Sequence, residues 1–185
     1  MNEDINNKKR LGVFIDGSNL WHCQKRNGWL IDFRKLKSFF ARRGEVEGLY
    51  YFTPDAPHLQ RFLRELDKIG YNIIKKPMKE IKIRQKGTPV SFKYKGNLDM
   101  EMGLLIATNI NAYDEFILVS GDSDFEVVIK MLANKGKNVV VICNKSSLSV
   151  ELRRSSNQFI YLHKIKREIK YKKSQAFSPG LTPHE

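Results

Sequence analysis

The sequence predicts an α/β fold in which a mostly parallel, doubly wound sheet is flanked by helices. Short apolar runs rich in β-branched and aromatic residues recur at 12–15, 46–52, 71–74, 116–119, 139–143 and 159–162, as strands buried on both faces require. Helical patterns separate most of these runs, and strand–helix alternation builds parallel sheets. Two runs empty into turns that carry acids, Asp16-Gly17-Ser18-Asn19 and Ser120-Gly121-Asp122-Ser123-Asp124. In open α/β sheets, ligands bind outside the carboxyl ends of the strands.

Taken in order, the first strand ends at Ile15. Residues 32–41 then form a helix with Phe33, Leu36, Phe39 and Phe40 on one stripe. After the strand at 46–52, Leu59, Phe62, Leu63, Leu66 and Ile69 mark a helix over 58–69 that closes at Gly70. Residues 81–95 break the pattern: they alternate with period two around Gly87-Thr88-Pro89, the signature of an inserted hairpin. That alternation puts Lys82, Arg84, Lys86, Lys93 and Lys95 on one face and Ile81, Ile83, Phe92 and Tyr94 on the other. A helix then runs from about Asp99 to Thr108; Met100, Met102, Leu104, Leu105 and Ile106 make it apolar around most of its circumference, so deep burial is expected. Ser123 followed by Glu126 predicts a capping box opening a helix through Leu132. A further helix from about Leu148 precedes Arg153 and Arg154.

A chain of 185 residues with 41% hydrophobic content supports one substantial core. The expected organisation is a polar segment at 1–10, one domain over 11–165 and a basic, disordered tail over 166–185. No apolar run reaches 18 residues and the opening segment is polar, so the expectation is a cytoplasmic protein without a membrane span. Cys23 and Cys143 have no zinc or disulfide spacing. Neither GxGxxG nor a P-loop occurs, which disfavours dinucleotides and nucleoside triphosphates. His22, His58, His163 and His184 lack ligand spacing and read as structural. The net charge of +13 calls for an anionic partner. Nothing in the chain indicates a homo-oligomer.

An Asp-Gly after a strand commonly serves only as a turn, and acids in a first helical turn commonly serve as caps. One acid would satisfy each role. Asp122 and Asp124 together, beside the matching strand exit at Asp16, call for something more, because gathering carboxylates within ~4 Å costs on the order of 4 kcal/mol per pair at an effective dielectric near 20. Asp99 and Glu101, at the start of a helix expected to be buried, face the same penalty. A divalent cation relieves it, and all-oxygen ligands suit Mg²⁺ or Mn²⁺.

Phe14-Ile15-Asp16-Gly17-Ser18-Asn19, then Lys95-Gly96 leading to Leu98-Asp99, then Ser120-Gly121-Asp122-Ser123-Asp124-Phe125 resemble, in order and spacing, the signature blocks of the NYN family. These are PIN-like nuclease domains that include the LabA-like proteins, and the resemblance spans about Leu11 to Leu162. It implies a PIN-like, Rossmann-like fold, a Mg²⁺- or Mn²⁺-dependent phosphodiesterase site, and RNA as substrate class. Carried over by motif, Asp16, Asp99, Asp122 and Asp124 are the metal-binding, catalytic acids, with Ser18, Asn19 and Ser120 in support. Two departures stand out. The extra Asn97 precedes Leu98-Asp99, and Leu105 stands where many members carry a further acid, with Glu101 the nearest substitute.

From Lys75 to Lys95 there are eight basic residues and one acid, with Phe92 and Tyr94 interleaved. Lysines on an edge strand can simply block aggregation. The density of charge together with aromatics points instead to RNA, phosphates on cations and bases on rings. Lys82, Arg84, Lys86, Lys93 and Lys95 are the candidate contacts, extended by Arg153 and Arg154. The sequence therefore reads as a metal-dependent ribonuclease, the alternative being a catalytically weak RNA-binding regulator of the same family.

Overall fold

The computed structural model describes residues 8–83 and 91–172, and for residues 80–83 and 91–95 the backbone alone. Six parallel strands form the main sheet in the order β3-β2-β1-β6-β7-β8. They are β1 (Arg10–Asp16), β2 (Glu45–Asp55), β3 (Asn72–Pro77), β6 (Glu115–Val119), β7 (Asn138–Cys143) and β8 (Gln158–Tyr161). The intervening β4 (Lys79–Ile83) and β5 (Ser91–Lys95) form a separate antiparallel pair.

Both faces of the sheet are covered, which is why its central strands are apolar at every position rather than at alternate ones. On one side Val13, Ile15 and Ile117 pack against α1 (Gly17–Asn27), α2 (Phe33–Ala41), α3 (Gln60–Ile69) and the short α7 (Lys166–Ile169) through Leu20, Phe33, Leu36, Phe62, Leu66 and Ile169. On the other, Phe14, Phe116 and Leu118 pack against α4 (Asp99–Thr108), α5 (Glu126–Asn134) and α6 (Val150–Ser155) through Met102, Ile106, Ile129, Leu132 and Leu152. The chain fills the sheet outward from β1 in one direction and, after the hairpin, outward from β6 in the other. The strand order therefore reverses between β1 and β6, and the crevice at their carboxyl ends is where such sheets bind ligands.

Tyr113 explains two glycines inside strands. Its ring crosses β1 and β2 so closely that a Cβ on Gly12 would sit 2.3 Å from the ring and one on Gly48 2.2 Å from the hydroxyl. That hydroxyl is 3.0 Å from the hydroxyl of Tyr50. At the opposite edge from the crevice, the carboxylate of Glu115, 1% exposed, is held by Lys9 at 3.0 Å, Arg43 at 3.3 Å and Asn138 Nδ2 at 2.6 Å.

Four sequence expectations change. The α4 helix is not deeply buried: Met100 and Leu104 are 80% and 63% exposed. Its fully buried positions are a single i, i+4 pair, Met102 and Ile106, with Leu105 partly buried beside them, so Met100 and Leu104 are left facing solvent. The Ser123/Glu126 capping box does not form. Asp122 caps instead, its carboxylate accepting from Asp124 N at 3.1 Å to start a 3₁₀ turn over Ser123–Phe125 that leads into α5; Glu126 pairs with Lys130 one turn on. The hairpin exists, but its register pairs Lys82 with Phe92 and Ile81 with Lys93. Directly paired positions share a face, so basic and apolar positions are mixed on both faces and not sorted. Finally, the fold continues past 165. Ile169 is buried, Asp32 N donates to Ile169 O at 2.8 Å and Tyr171 N to Leu30 O at 2.9 Å.

Candidate metal centre

Asp16 leaves β1 and becomes the N-cap of α1, its Oδ1 accepting from Asn19 N at 2.9 Å. One acidic side chain thereby ends a strand and starts a helix, as a strand-to-helix turn with a polar cap predicts. Gly17 is required beside it, because a Cβ there would sit 2.7 Å from the Phe52 carbonyl oxygen. Across the crevice, buried Ser120 donates from Oγ to Asp16 Oδ2 at 3.1 Å and accepts from Asp122 N at 3.2 Å. Asn19 Oδ1 also accepts from Gly121 N at 3.4 Å. The exits of β1 and β6 are thus cross-linked by side chains. A Cβ on Gly121 would meet the Ser147 carbonyl oxygen at 2.3 Å, so the loop after β7 closes directly on this point.

The third contributor is α4. Its first residue, Asp99, donates its backbone N–H to Asn97 Oδ1 at 2.9 Å. The extra Asn97 therefore shapes the helix entry. Asp99, Asp122 and Asp124 converge: each offers an oxygen, and the three lie within 4.8 Å of one another. Ligand distances of about 2.0–2.6 Å to a hard divalent cation span such a gap, and an all-carboxylate donor set suits that class of ion and no soft metal. Asp16 is not in this trio but lines the same cavity, about 320 Å³, with Ser18, Asn19, His22, Asp99 and Asp122. Asp16 and Asp99 both hold their protons above the ordinary carboxylate range. Burial is the largest cause for each, followed for Asp16 by the field of Asp99 and for Asp99 by those of Asp122 and Asp124.

The remaining candidates separate. Glu101 is engaged by Lys76 of β3, which holds its carboxyl below the ordinary range, and its Oε2 is buried without a hydrogen-bond partner among the described residues. Lys82, Lys93 and Lys95 lie in β4 and β5, while Arg84 and Lys86 fall outside the described residues. Arg153 and Arg154 are exposed at the end of α6. The Arg153 guanidinium lies 5.8 Å from the Phe159 ring centroid and donates to the Tyr161 hydroxyl at 3.2 Å. The sequence reads His22 as structural, whereas the fold places it in a cavity shared with the acids. Its signal was spacing: Ser18, Asn19, His22 and Arg26 follow one stripe of α1. Both cysteines are buried free thiols, and burial pushes that of Cys143 up to about 12. No described helix is long and apolar enough to cross a membrane.

With this geometry in hand, comparison with known proteins is specific. Residues 10–163 match the model of the NYN domain family. The Low amplitude and bright protein LabA of Synechococcus elongatus is 34% identical over 164 residues, covering 86% of this chain and 87% of LabA. A crystal structure of a protein of unknown function from Vibrio parahaemolyticus superposes with a TM-score of 0.73 at 21% identity, over 92% of this chain and 100% of that one, and so supports the fold alone. The matched model spans the strand exits, the α4 entry and the acidic turn together, and the chain belongs to the NYN domain family, with the α/β, PIN-like architecture that its motifs predict.

Proposed function

We propose that this protein is a metal-dependent ribonuclease hydrolysing phosphodiester bonds of single-stranded RNA. The observation that carries the reading is the convergence of Asp99, Asp122 and Asp124 within 4.8 Å beside the β1/β6 switch point. These three carboxylates would hold Mg²⁺ or Mn²⁺, which when bound acidifies a water and stabilises charge on the phosphate. The chain's own residues supply the geometry. Ser120 Oγ, fixed by Asp16, positions the Asp122 backbone. Asn19, from α1, holds the Gly121 N–H and keeps the two strand exits in register. Ser18 and His22 line the rim on which substrate would rest.

RNA is the proposed partner because the chain carries a net charge of +13 and because the family is related to nucleases. The alternative, a catalytically weak RNA-binding regulator, draws on Leu105, which occupies the place of a further acid, and on the engagement of Glu101 by Lys76.

Cleavage assays on single-stranded RNA with the Asp122→Asn variant test the proposal. Loss of cleavage in the variant and in wild type with EDTA, with affinity for RNA kept within a few-fold, is the expected result, since the acids act on the transition state and the basic surface on the ground state. Tight binding without fragments in Mg²⁺ or Mn²⁺ selects the regulator. Cleavage that survives both treatments refutes the site.

A further inference from the structure

A second open cavity, about 410 Å³, adjoins the acidic one and shares Asn19, His22 and Asp122 with it. Its chemistry is different. Arg26 stands at the end of α1, and Ser123, Ser146 and Ser147 face it from two loops; Cys23 is its one sulfur-bearing wall. The guanidinium is oriented rather than loose: Nη1 donates to Ser146 Oγ at 3.1 Å and to Ser147 Oγ at 3.4 Å. Among the described residues no carboxylate forms an ion pair with it. An Arg near a helix C-terminus needs no cavity to complement the helix dipole. Here a fixed fork of donors and three hydroxyls are gathered around an open space, which matches a tetrahedral oxyanion with several acceptor atoms.

We propose that this second cavity is a phosphate subsite, which seats a phosphate of a single-stranded nucleic acid next to the one presented to Asp99, Asp122 and Asp124. The two cavities meet at His22, so a strand crossing from one to the other passes over α1, and the Asn19–His22–Arg26 stripe becomes the track on which it lies. The repulsive acidic cavity and the attractive cationic one together fix the strand's position. The assignment of the neighbouring phosphate rests on the nuclease reading of the acids; the affinity for phosphate does not.

The test is equilibrium binding of the full chain in EDTA, followed by fluorescence anisotropy of a 3′-labelled single-stranded hexaribonucleotide, with and without a 5′-phosphate. Arg26→Gln should weaken binding about tenfold, the range of one charge-assisted hydrogen-bonding group, and lower the salt slope by about 0.7. Lys130→Ala, which removes an exposed lysine paired with Glu126 on α5, should change neither. Arg26 is exposed, so an unchanged melting temperature will show that the variant folds. A loss equal for both oligonucleotides assigns the seat to an internal diester, and a loss confined to the 5′-phosphorylated one assigns it to a terminal monoester. Equal affinity and salt slope in wild type and Arg26→Gln overturn the proposal. Because no divalent ion is present, a chain that never cleaves RNA still passes or fails this test.

Discussion

Replacing Asp124 by Asn should make the metal-free protein more stable and the metal-loaded protein less so. Asp124 is exposed, and only its backbone N–H takes part in the Asp122 cap, so the substitution removes charge without removing a known hydrogen bond. Its carboxylate lies within 4.8 Å of those of Asp99 and Asp122. Even at the dielectric of water, each such pair repels by about 0.9 kcal/mol, and by about 3.5 at an effective dielectric near 20. The exposed setting favours the lower figure, giving roughly 2 kcal/mol over two pairs. For a chain of this length, roughly 2–4 °C accompany each kcal/mol, so the variant should melt about 4–8 °C higher in EDTA at low salt. With a divalent ion at a hundredfold excess over its dissociation constant, wild type should gain about 2.7 kcal/mol, whereas the variant, short of a ligand, should gain far less. Differential scanning calorimetry with EDTA and with millimolar Mg²⁺ or Mn²⁺ reads both arms. The curves must cross. A variant that melts at or below wild type in EDTA, or that gains as much as wild type from metal, refutes the reasoning.

Gly121→Ala should cost about 1–3 kcal/mol of stability by denaturant unfolding, because its Cβ would stand 2.3 Å from the Ser147 carbonyl oxygen, which is backbone and cannot swing aside. The Arg10–Asp114 pair gives a pH signature: Arg10 holds the Asp114 carboxyl down to about 2. Its folded value lies below its unfolded one, so its contribution is present above the unfolded value and disappears as pH falls from about 4 through about 2. Asp114→Asn should therefore be less stable than wild type at pH 7, with the gap closing over that window in urea titrations. Cys143, buried and pushed up to about 12, should stay unmodified by iodoacetamide at pH 8 in the native protein and react on unfolding, as peptide mass analysis will show.

The sheet was legible because strands covered on both faces must be apolar throughout; Val139–Cys143 could hardly be anything else. The acidic turns were legible for a related reason, since Asp16 and Asp122 each follow such a strand. What sequence could not convey was how few neighbours an apolar helix finds. Met100 and Leu104 read as core, yet α4 touches the sheet along one stripe and leaves them in solvent. Hairpin alternation predicted strands, but the sorting of faces depends on register, and the observed register sets Lys82 against Phe92 and Ile81 against Lys93. Ser123 looked like a cap because Ser and Glu three apart usually are one; a carboxylate one residue earlier was the stronger acceptor. Arg26 went unnoticed because its partners, Ser146 and Ser147, are 120 and 121 positions away.

The bond from Ser120 to Asp16 joins residues 104 positions apart; Asp99 comes from the second half of that span and Asp124 from just beyond it. During synthesis, the chain is translated well past its midpoint before the acid trio is complete. A nascent chain that has folded only β1 through β3 owns one of the four acids, Asp16, held by its own helix cap. The acid trio is thus withheld from every truncated product that stops short of the α5 entry, and so is the cation site that it would form.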